Sequence, residues 1–367
     1  MTMHILVINL GSVSTKVAVY SDLKQEFLEV ITHPSEELAE FKEIFDQHQY
    51  RKSLIEAILE KRGVSLKSLT AVVGRGGLCK PIPSGVYEIN QLMIEDLKTS
   101  ALGKHASSLS GLIAYNISQE LGIKSYVVDP VVVDEFEPLA YYSGWPEIRR
   151  KSLFHALNQK AVARKAAAQL DRAYEELRLI VVHLGGGITV GAHKLGRVVD
   201  ANNGLEEGPF SPERAGSLPI GDLIRLSFSG RFSKEQMIRT MAGKGGLVAY
   251  LGTNSGIEIE QRILSGDQYA AEVFEAMAYQ IAKEIGSAAV VLEGKVDAIV
   301  LTGGLVYSKR LVEWITQRVA FIGRVMIFPG EFEMEALATG AWRALMGIEA
   351  AKTYTPVGDW SHYIGFN

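Results

Sequence analysis

Cysteine, long apolar runs and basic clusters are scarce in this 367-residue chain, and each scarcity excludes a class of protein. The single cysteine, Cys79, cannot form an internal disulfide, which is typical of a reducing compartment, so we expect a cytoplasmic protein. No apolar run approaches the roughly 18 residues that cross a membrane, and Asn9 interrupts the N-terminal run, so we expect no membrane span or signal peptide. The net charge is -4 without any Lys/Arg block, which argues against a nucleic-acid partner.

The familiar nucleotide-binding and metal-binding motifs are also missing. The spacing G-x-x-x-x-G-K-[ST] of the P-loop does not occur. The stretch HLGGGITVG partly matches G-x-G-x-x-G, but strand-like residues follow it where a dinucleotide-binding fold requires a helix. No His/Cys cluster has the spacing of a zinc site. If the chain binds a nucleotide, it therefore uses another type of glycine-rich turn.

Short apolar segments alternate with longer segments of helical periodicity, which predicts an α/β fold. Strands are expected at residues 6–8 and 17–20, for example, and helices at residues 34–61 and 154–170. The chain is longer than one hydrophobic core usually supports, so two domains are expected. We place the end of the first domain in the turn-rich, basic segment 141–151.

One strand–turn–strand pattern occurs twice, once in each half of the chain. ILVINLGSVSTKVAVY begins at residue 5, and LIVVHLGGGITVGAHK begins at residue 179. In both, four apolar residues precede one polar residue and a Leu-Gly turn, so Asn9 aligns with His183 and Gly11 with Gly185. The repetition indicates a duplicated domain. A chance similarity of two hairpins is the alternative.

Glycine-rich turns can bind phosphate, because a backbone without Cβ approaches an anion closely and successive N–H groups converge on it. The first turn adds Ser and Thr hydroxyls and the charge of Lys16. A third turn, Thr302-Gly303-Gly304, follows an apolar strand and offers a flat surface for adenine or ribose. Each turn alone has an ordinary alternative as a solvated hairpin or a strand-to-helix connection. Three such turns after three apolar strands favour a nucleotide site.

Three segments resemble motifs of the acetate and butyrate kinase family, within the sugar kinase, Hsp70 and actin superfamily. NLGSVSTK is similar to the first phosphate motif, HLGGG to the second, and LTGGL to the adenosine motif. Further segments, including GRGGL, VVDPVVVDEF and SPERAGSLP, resemble the butyrate branch more than the acetate branch. Val13 stands where the family signature has a Ser, so one hydroxyl of the first turn is missing.

The resemblance implies a fold and an activity. The fold would be α/β, with two duplicated actin-like (ribonuclease H-like) domains and an active-site cleft between them. Residues 1–150 plus 345–367 would form the acid-substrate side, and residues 151–344 the nucleotide side. The activity would be reversible phosphorylation of a short-chain carboxylic acid, butyrate, by ATP, giving butanoyl phosphate and ADP. Mg²⁺ would be required, the acid and its acyl phosphate would be the partners, and the assembly would be a homodimer or larger homo-oligomer.

The resemblance also implies which residues contact the nucleotide and the reacting groups. Nucleotide contacts fall on Asn9, Gly11, Ser12, Ser14, Lys16, His183, Gly185, Gly186, Gly187, Thr302, Gly303 and Gly304. Arginine suits carboxylates and phosphoryl groups because its planar fork donates two parallel hydrogen bonds. Arg75, at a strand end, would bind the acid's carboxylate, and Arg214 would lie near the transferring phosphoryl group. A solvated turn or loop arginine is the alternative for each.

Four further residues receive roles from the resemblance and also have ordinary alternatives. Asp129 would orient the substrate or a metal-bound water, or it simply occupies a turn. His155 would stabilise charge on the phosphoryl group or cap its helix, and His105 would lie on the substrate side or begin a helix. Glu333 best fits the magnesium-linked glutamate, and Asp129 is the second metal residue, because Mg²⁺ prefers oxygen ligands. Glu335 is the runner-up to Glu333, and a helix N-terminal residue is the alternative for both.

The expected acid depends on the segment GGLCKPIPSGVYEIN, which follows Arg75. Its apolar residues are Leu78, Pro81, Ile82, Pro83 and Val86. An apolar wall beside the carboxylate-binding arginine favours butyrate over acetate. A branched-chain or propionate kinase is the alternative among enzymes. An actin-like or Hsp70-like ATP-binding assembly protein is the alternative of another class.

Overall fold

Strands and helices alternate through the computed structural model, which describes residues 2–99 and 105–356. The strands are β1 (His4–Leu10), β2 (Ser14–Ser21), β3 (Lys24–Thr32), β4 (Ala71–Gly74), β5 (Val86–Glu88), β6 (Lys124–Val128), β7 (Arg178–Leu184), β8 (Ile188–Lys194), β9 (Arg197–Ala201), β10 (Ala298–Gly303), β11 (Val325–Pro329) and β12 (Lys352–Thr353). The helices are α1 (Ser35–Leu38), α2 (His48–Lys61), α3 (Gln91–Thr99), α4 (Ser107–Leu121), α5 (Ala156–Gln169), α6 (Ile220–Ser227), α7 (Lys234–Gly243), α8 (Gly246–Leu251), α9 (Gly256–Leu264), α10 (Gln268–Val291), α11 (Lys309–Val319) and α12 (Glu333–Leu345). Short 3-10 helices lie at Ile44–Gln47, Leu66–Ser68, Pro138–Tyr141, Tyr174–Glu176 and Gly304–Tyr307.

The chain divides into two units, each with its own sheet. The first unit contains Met1–Asp134 and Phe332–Asn367, and the second contains Glu135–Glu331. The sequence analysis placed the corresponding boundaries at residues 150 and 345. Both ends of the chain contribute to the first unit, because α12 packs against β1, β4 and β6.

The sheet of the first unit has the strand order β12-β5-β6-β4-β1-β2-β3. β1 pairs in parallel with β4, and β4 pairs in parallel with β6. β2 and β3 continue from β1 as antiparallel hairpins. Every residue of β1 from Ile5 to Leu10 is buried, as expected for a central strand that is covered on both faces. The carboxyl ends of β1, β4 and β6 therefore lie side by side at one edge of the sheet.

The sheet of the second unit repeats this arrangement with the order β11-β10-β7-β8-β9. β7 pairs in parallel with β10 and β10 with β11, whereas β7, β8 and β9 form antiparallel hairpins. Both sheets also share an irregularity in the second hairpin. The β2–β3 pairing shifts register at Val19/Tyr20, and the β8–β9 pairing shifts register at Ala192/His193. Asn9 and His183 both stand one residue before the end of their strands. These correspondences confirm the predicted duplication of an α/β domain.

The core of the second unit forms where the long helix α10 packs against its sheet. Asp267 caps the helix, since its carboxylate accepts a hydrogen bond from the Ala270 N–H at 2.9 Å. Phe274, Met277 and Ile281 follow at helical spacing and are completely buried. They share one apolar cluster with the residues of β7 and β10, so the second unit has a core of its own.

The prediction of one continuous helix over residues 34–61 is wrong. The segment contains α1, a 3-10 helix at Ile44–Gln47 and then α2. The Asp46 carboxylate accepts a hydrogen bond from the Glu43 N–H at 2.9 Å, a capping contact that starts a new helical segment. The predictions for β1, β2 and α5 are confirmed to within a few residues. In residues 2–99 and 105–356, no helix is both long and apolar enough to span a membrane.

Candidate active site

Three polar side chains lie at the carboxyl edge of the first unit's sheet. Asn9 is the next-to-last residue of β1, Arg75 follows β4, and Asp129 follows β6. The three strands are parallel neighbours, so their ends bring these residues to the same edge, where open α/β sheets bind ligands. The sequence analysis selected all three residues, and the strand topology explains why they belong together.

Glu333, the first residue of α12, joins two of these side chains. Its carboxylate pairs with Arg75, with 3.1 Å between Oε1 and Nη2, and accepts a hydrogen bond from the Asn9 amide. Arg75 Nη1 also donates to Asn9 Oδ1 at 3.5 Å. The Glu333 side chain is 6% exposed and that of Arg75 is 26% exposed, so water screens the pair only partly. The guanidinium of Arg75 is therefore held in one place, on a side chain that is partly exposed.

Asp129 has a left-handed backbone, with φ at 39°, which is uncommon for a residue other than glycine. It is 1% exposed, and its Oδ1 accepts hydrogen bonds from the Ser84 hydroxyl at 2.6 Å and the Gly85 N–H at 2.8 Å. Its own N–H donates to the Gly85 carbonyl oxygen at 3.1 Å. The surrounding segment thus holds both the carboxylate and an unfavourable backbone conformation. Backbone strain of this kind is concentrated at functional sites.

The glycines after Arg75 allow close contact with the first turn of α4. A Cβ at Gly77 would lie 2.5 Å from Ser108 Cα, which no larger residue tolerates. His105 precedes this helix and is exposed. Its Nδ1 accepts a hydrogen bond from the Ser107 N–H at 3.1 Å, which assigns the proton of the neutral ring to Nε2. The loop that follows Arg75 therefore contacts the helix that follows His105.

The first glycine turn joins β1 to β2 and is accessible at its tip. The Gly11 N–H donates to the Ser14 carbonyl oxygen at 2.9 Å, which closes the turn. Ser12 and Val13 are exposed, and Lys16 pairs in register with Asn9 across the hairpin. The predicted phosphate-binding residues of this turn thus follow directly on the buried end of β1, and the tip of the turn is exposed.

The sequence analysis missed Arg51, which contacts the first glycine turn from the buried side. Arg51 lies on α2 and is completely buried, and its guanidinium donates to three carbonyl oxygens of the turn. The sequence contained a signal, because Arg51 shares the apolar face of α2 with Ile55 and Ile58 at helical spacing. A charged residue at an apolar position indicates a buried polar contact.

His183 occupies in the second unit the place that Asn9 occupies in the first. It is 5% exposed, and its Nδ1 accepts a hydrogen bond from Asn158 Nδ2 at 2.9 Å. This bond assigns the proton of the neutral ring to Nε2. Nε2 lies beside the second glycine turn, since a Cβ at Gly185 would be 2.9 Å from it. Asn158, which the sequence analysis missed, thus sets the tautomer and orientation of His183.

His155 stacks on His183, with ring centroids 4.1 Å apart and an angle of 27° between the ring planes. His155 is the residue before α5, and Asn158 lies one helical turn further along. Asn158 Nδ2 also donates to Thr302 Oγ1 at 3.3 Å, and Thr302 pairs in register with His183 across β10 and β7. The structure therefore brings together the predicted residues His155, His183 and Thr302.

Arg214 lies over the second glycine turn. A Cβ at Gly187 would be 3.0 Å from the Arg214 Cζ. The Arg214 Nη1 donates to the Gly204 carbonyl oxygen at 3.0 Å, whereas its buried Nε has no hydrogen-bond partner among the described residues. Burial lowers the pKa of the guanidinium. A buried guanidinium with an unused N–H is suited to an anionic ligand.

Two glycines form the third turn, after β10. Gly303 has φ at 102°, and a Cβ there would lie 2.3 Å from the Leu184 carbonyl oxygen, so only glycine fits. Gly303 and Gly330 exchange two backbone hydrogen bonds of 3.1 Å. Gly304 is exposed, and a cavity of about 600 Å³ lies nearby, bordered by Tyr307 and residues of α9 and α11.

Residues 138–330, more than half of the chain, match the acetokinase family. The chain belongs to this family. Membership indicates a carboxylate kinase that uses ATP or ADP and acts on small carboxylates and acyl phosphates.

Several solved structures share the fold of this chain. Acetate kinase from Porphyromonas gingivalis superposes with a TM-score of 0.75 at 19% identity, covering 94% of this chain and 100% of that one. A propionate kinase from Francisella tularensis superposes with a TM-score of 0.72 at 19% identity, covering 92% of this chain and 98% of that one. Acetate kinase from Entamoeba histolytica superposes with a TM-score of 0.73 at 18% identity, covering 92% of this chain and 98% of that one. These matches confirm the predicted actin-like fold with two domains.

The acetokinase chain offers carboxylates that suit a magnesium ion. Mg²⁺ in proteins usually binds one or two carboxylates together with substrate phosphates and water. Both carboxylates are buried at the same sheet edge, because Asp129 follows β6 and Glu333 contacts Asn9 and Arg75. Among the described residues, no group of three His, Cys, Asp or Glu side chains could hold a metal alone. The donor set therefore fits a metal bound jointly with phosphate.

Proposed function

We propose that this protein transfers the terminal phosphoryl group of ATP to butyrate, reversibly. The observation that carries the proposal is the position of Arg75, fixed by Glu333 and Asn9 at the sheet edge next to the first glycine turn. An arginine held in this way, with its side chain 26% exposed, is suited to bind a carboxylate. Acetokinase membership supports the reaction class.

In the proposed reaction, a carboxylate oxygen of the acid attacks the terminal phosphorus, and the bond from that phosphorus to the bridging oxygen of ADP breaks. Arg75 binds and orients the acid. The N–H groups of the glycine turns bind the phosphates, and Arg214 and the stacked pair His155 and His183 stabilise charge on the transferring group. Asp129 and Glu333 would hold Mg²⁺, which would neutralise phosphate charge. No covalent enzyme intermediate is needed.

Butyrate, rather than acetate or propionate, is proposed from the segment after Arg75. Ile82, in the loop before β5, and Val86, in β5, are buried, whereas Leu78 and Pro81 are only half-buried. We therefore assign the contact with the acid's alkyl chain to Leu78 and Pro81. Two additional methylenes contribute about 0.8 kcal/mol each when buried, which corresponds to discrimination on the order of tenfold.

Trapping of the acyl phosphate as a hydroxamate tests the proposal. Purified protein is incubated with ATP, Mg²⁺ and acetate, propionate, butyrate or isobutyrate, and kcat/KM is compared. We expect hydroxamate with every acid and the highest value with butyrate. A preference for acetate would overturn the butyrate assignment, and ATP turnover that no acid stimulates would overturn the kinase proposal.

The Arg75→Ala variant tests the residue that carries the proposal. We expect it to lose acid phosphorylation by at least about a hundredfold while retaining ATP binding, because it removes a charged contact to the reacting acid. Arg62→Ala is the matched control, since Arg62 forms an exposed ion pair with Glu29 in the same unit. Wild-type turnover in Arg75→Ala would remove this residue from the site.

A further inference from the structure

We propose that Arg51 is a positioning residue that shapes the first glycine turn for binding the phosphates of ATP. This inference rests on the proposed function, because it assigns the turn to a polyphosphate ligand. Its basis is an unusual contact set, in which one buried guanidinium binds the backbone of a four-residue turn on the side opposite its exposed tip.

The guanidinium of Arg51 uses both terminal nitrogens on the turn. Nη1 donates to the carbonyl oxygens of Gly11 at 3.2 Å and Ser14 at 3.0 Å. Nη2 donates to the carbonyl oxygen of Ser12 at 3.1 Å. Nη1 also donates to the Thr15 hydroxyl at 3.2 Å. A turn whose carbonyl oxygens converge on one planar group has little freedom to change its conformation.

The peptide geometry converts these contacts into a binding surface. In a trans peptide unit the C=O and N–H point in opposite directions. Because the carbonyls of Gly11 and Ser12 point to Arg51, the following N–H groups, those of Ser12 and Val13, point away from it. Both of these residues are exposed. Two successive N–H groups on one exposed surface are the arrangement by which turns bind anions.

The charge of Arg51 supports the same conclusion. The remaining partner of its guanidinium within residues 2–99 and 105–356 is the Gln47 amide oxygen, 3.0 Å from Nε, so all of its hydrogen-bond partners there are neutral. Arginine keeps its charge in proteins even when buried. The turn therefore has a positive charge behind it that no carboxylate of the described segments contacts and neutralises, and a polyphosphate in front of the turn would supply negative charge.

Arg51→Ala and Arg51→Lys test the proposal, because lysine keeps the charge but cannot bind three carbonyl oxygens with a planar fork. We expect both variants to raise the KM for ATP, and the Kd of ATP measured by calorimetry without acid, by about tenfold or more. The KM for the acid should stay within about twofold of wild type. Added guanidinium should restore part of the ATP affinity of Arg51→Ala.

Lys52→Met is the matched control. Lys52 is the next residue of the same helix and is also buried, but its ammonium binds Glu56 and Glu120. In the described part of the chain, Arg51 and not Lys52 makes the hydrogen bonds from α2 to the turn. This variant should lose thermal stability without a change in ATP affinity. A comparable loss of ATP affinity in Lys52→Met would show that the effect arises from α2 as a whole and would overturn the proposal. Unchanged ATP affinity in Arg51→Lys and Arg51→Ala would overturn it as well.

The measurements distinguish this inference from the proposed function. If wild-type protein phosphorylates an acid and the Arg51 variants bind ATP normally, only the Arg51 inference fails. If wild-type protein binds ATP but no acid stimulates turnover, the proposed function fails, and the calorimetric Kd values still decide the role of Arg51. If wild-type protein binds no ATP, both are wrong.

Discussion

Arg75 and Glu333 form an ion pair, with 3.1 Å between Nη2 and Oε1, although one follows an N-terminal strand and the other begins α12 near the C-terminus. The pair connects the two chain segments that build the first unit. It also places a carboxylate next to the arginine to which we assign the acid substrate. A neighbouring carboxylate limits the side-chain freedom of the arginine and provides an oxygen that suits a magnesium ion.

The Glu333→Gln variant should lower kcat for acyl phosphate formation by at least about tenfold, because it removes the charge that holds Arg75 and that suits the metal. Its dependence on Mg²⁺ should shift to higher concentration. Turnover measured over a magnesium series checks both effects.

Glu335→Gln is the control for Glu333→Gln and decides between the two glutamates of the sequence analysis. Glu335 is exposed, whereas Glu333 is buried and contacts Asn9. We expect Glu335→Gln to retain most of the activity. The opposite ranking of the two variants would transfer the metal-linked role to Glu335.

The Gly187→Ala variant should reduce kcat roughly tenfold, because its Cβ would stand 3.0 Å from the Arg214 Cζ and displace the guanidinium by a few tenths of an ångström. The clash involves the end of a flexible side chain, so the fold should persist. Steady-state kinetics with a melting curve for each protein measure the two properties separately.

Gly286→Ala is the control for Gly187→Ala and a prediction of its own. Gly286 lies within α10, and a Cβ there would meet no atom within 4 Å. Alanine favours the helix over glycine by about 1 kcal/mol, so the melting temperature should rise while kcat is unchanged. A lower melting temperature in this variant would contradict the packing described for α10.

The sequence predicted the parts of the molecule that depend on local pattern. The alternation of apolar strands and glycine turns predicted both hairpins, and therefore the equivalence of Asn9 and His183. The bend before α2 and the roles of Arg51 and Asn158 were not predictable in this way. The bend depends on a local capping contact, from the Glu43 N–H to the Asp46 carboxylate, which apolar periodicity does not report. Arg51 and Asn158 depend on contacts between segments far apart in the chain, such as the bond from Arg51 to the Gly11 carbonyl oxygen. Residue periodicity carries no information about such partners.

The burial of His193 should make the stability of the fold depend on pH. It is completely buried, with Nδ1 accepting from the Tyr174 hydroxyl at 2.7 Å and Nε2 donating to Gln159 Oε1 at 3.0 Å, so the neutral ring is satisfied. Burial, with Lys160 and Arg164 nearby, lowers its pKa well below the usual value. Below about pH 6.5 the unfolded chain binds a proton that the folded chain does not, so stability falls as pH decreases.

As the pH falls below about 6.5, the missing protonation of His193 should lower the free energy of unfolding by up to about 1.4 kcal/mol per pH unit. Denaturation measured between pH 7 and pH 5 checks the slope. A His193→Gln variant should be less stable at pH 7 but should show a smaller slope. Equal slopes in the variant and the wild type would exclude His193 as a source of the pH dependence.

Tyr354 attaches its segment near the C-terminus to the rest of the first unit, so loss of its hydroxyl should lower the free energy of unfolding. Its hydroxyl donates to Asp96 Oδ2 at 2.7 Å and accepts from the Lys80 N–H at 3.0 Å, and the side chain is completely buried. Tyr354→Phe leaves both partners without this bond and should lower the free energy of unfolding by about 1–3 kcal/mol, measured by urea denaturation. Tyr142→Phe, at a tyrosine that is 75% exposed, should have almost no effect. If the two variants were equally stable, the hydroxyl of Tyr354 would contribute nothing to the attachment, and packing of its ring alone would hold the segment.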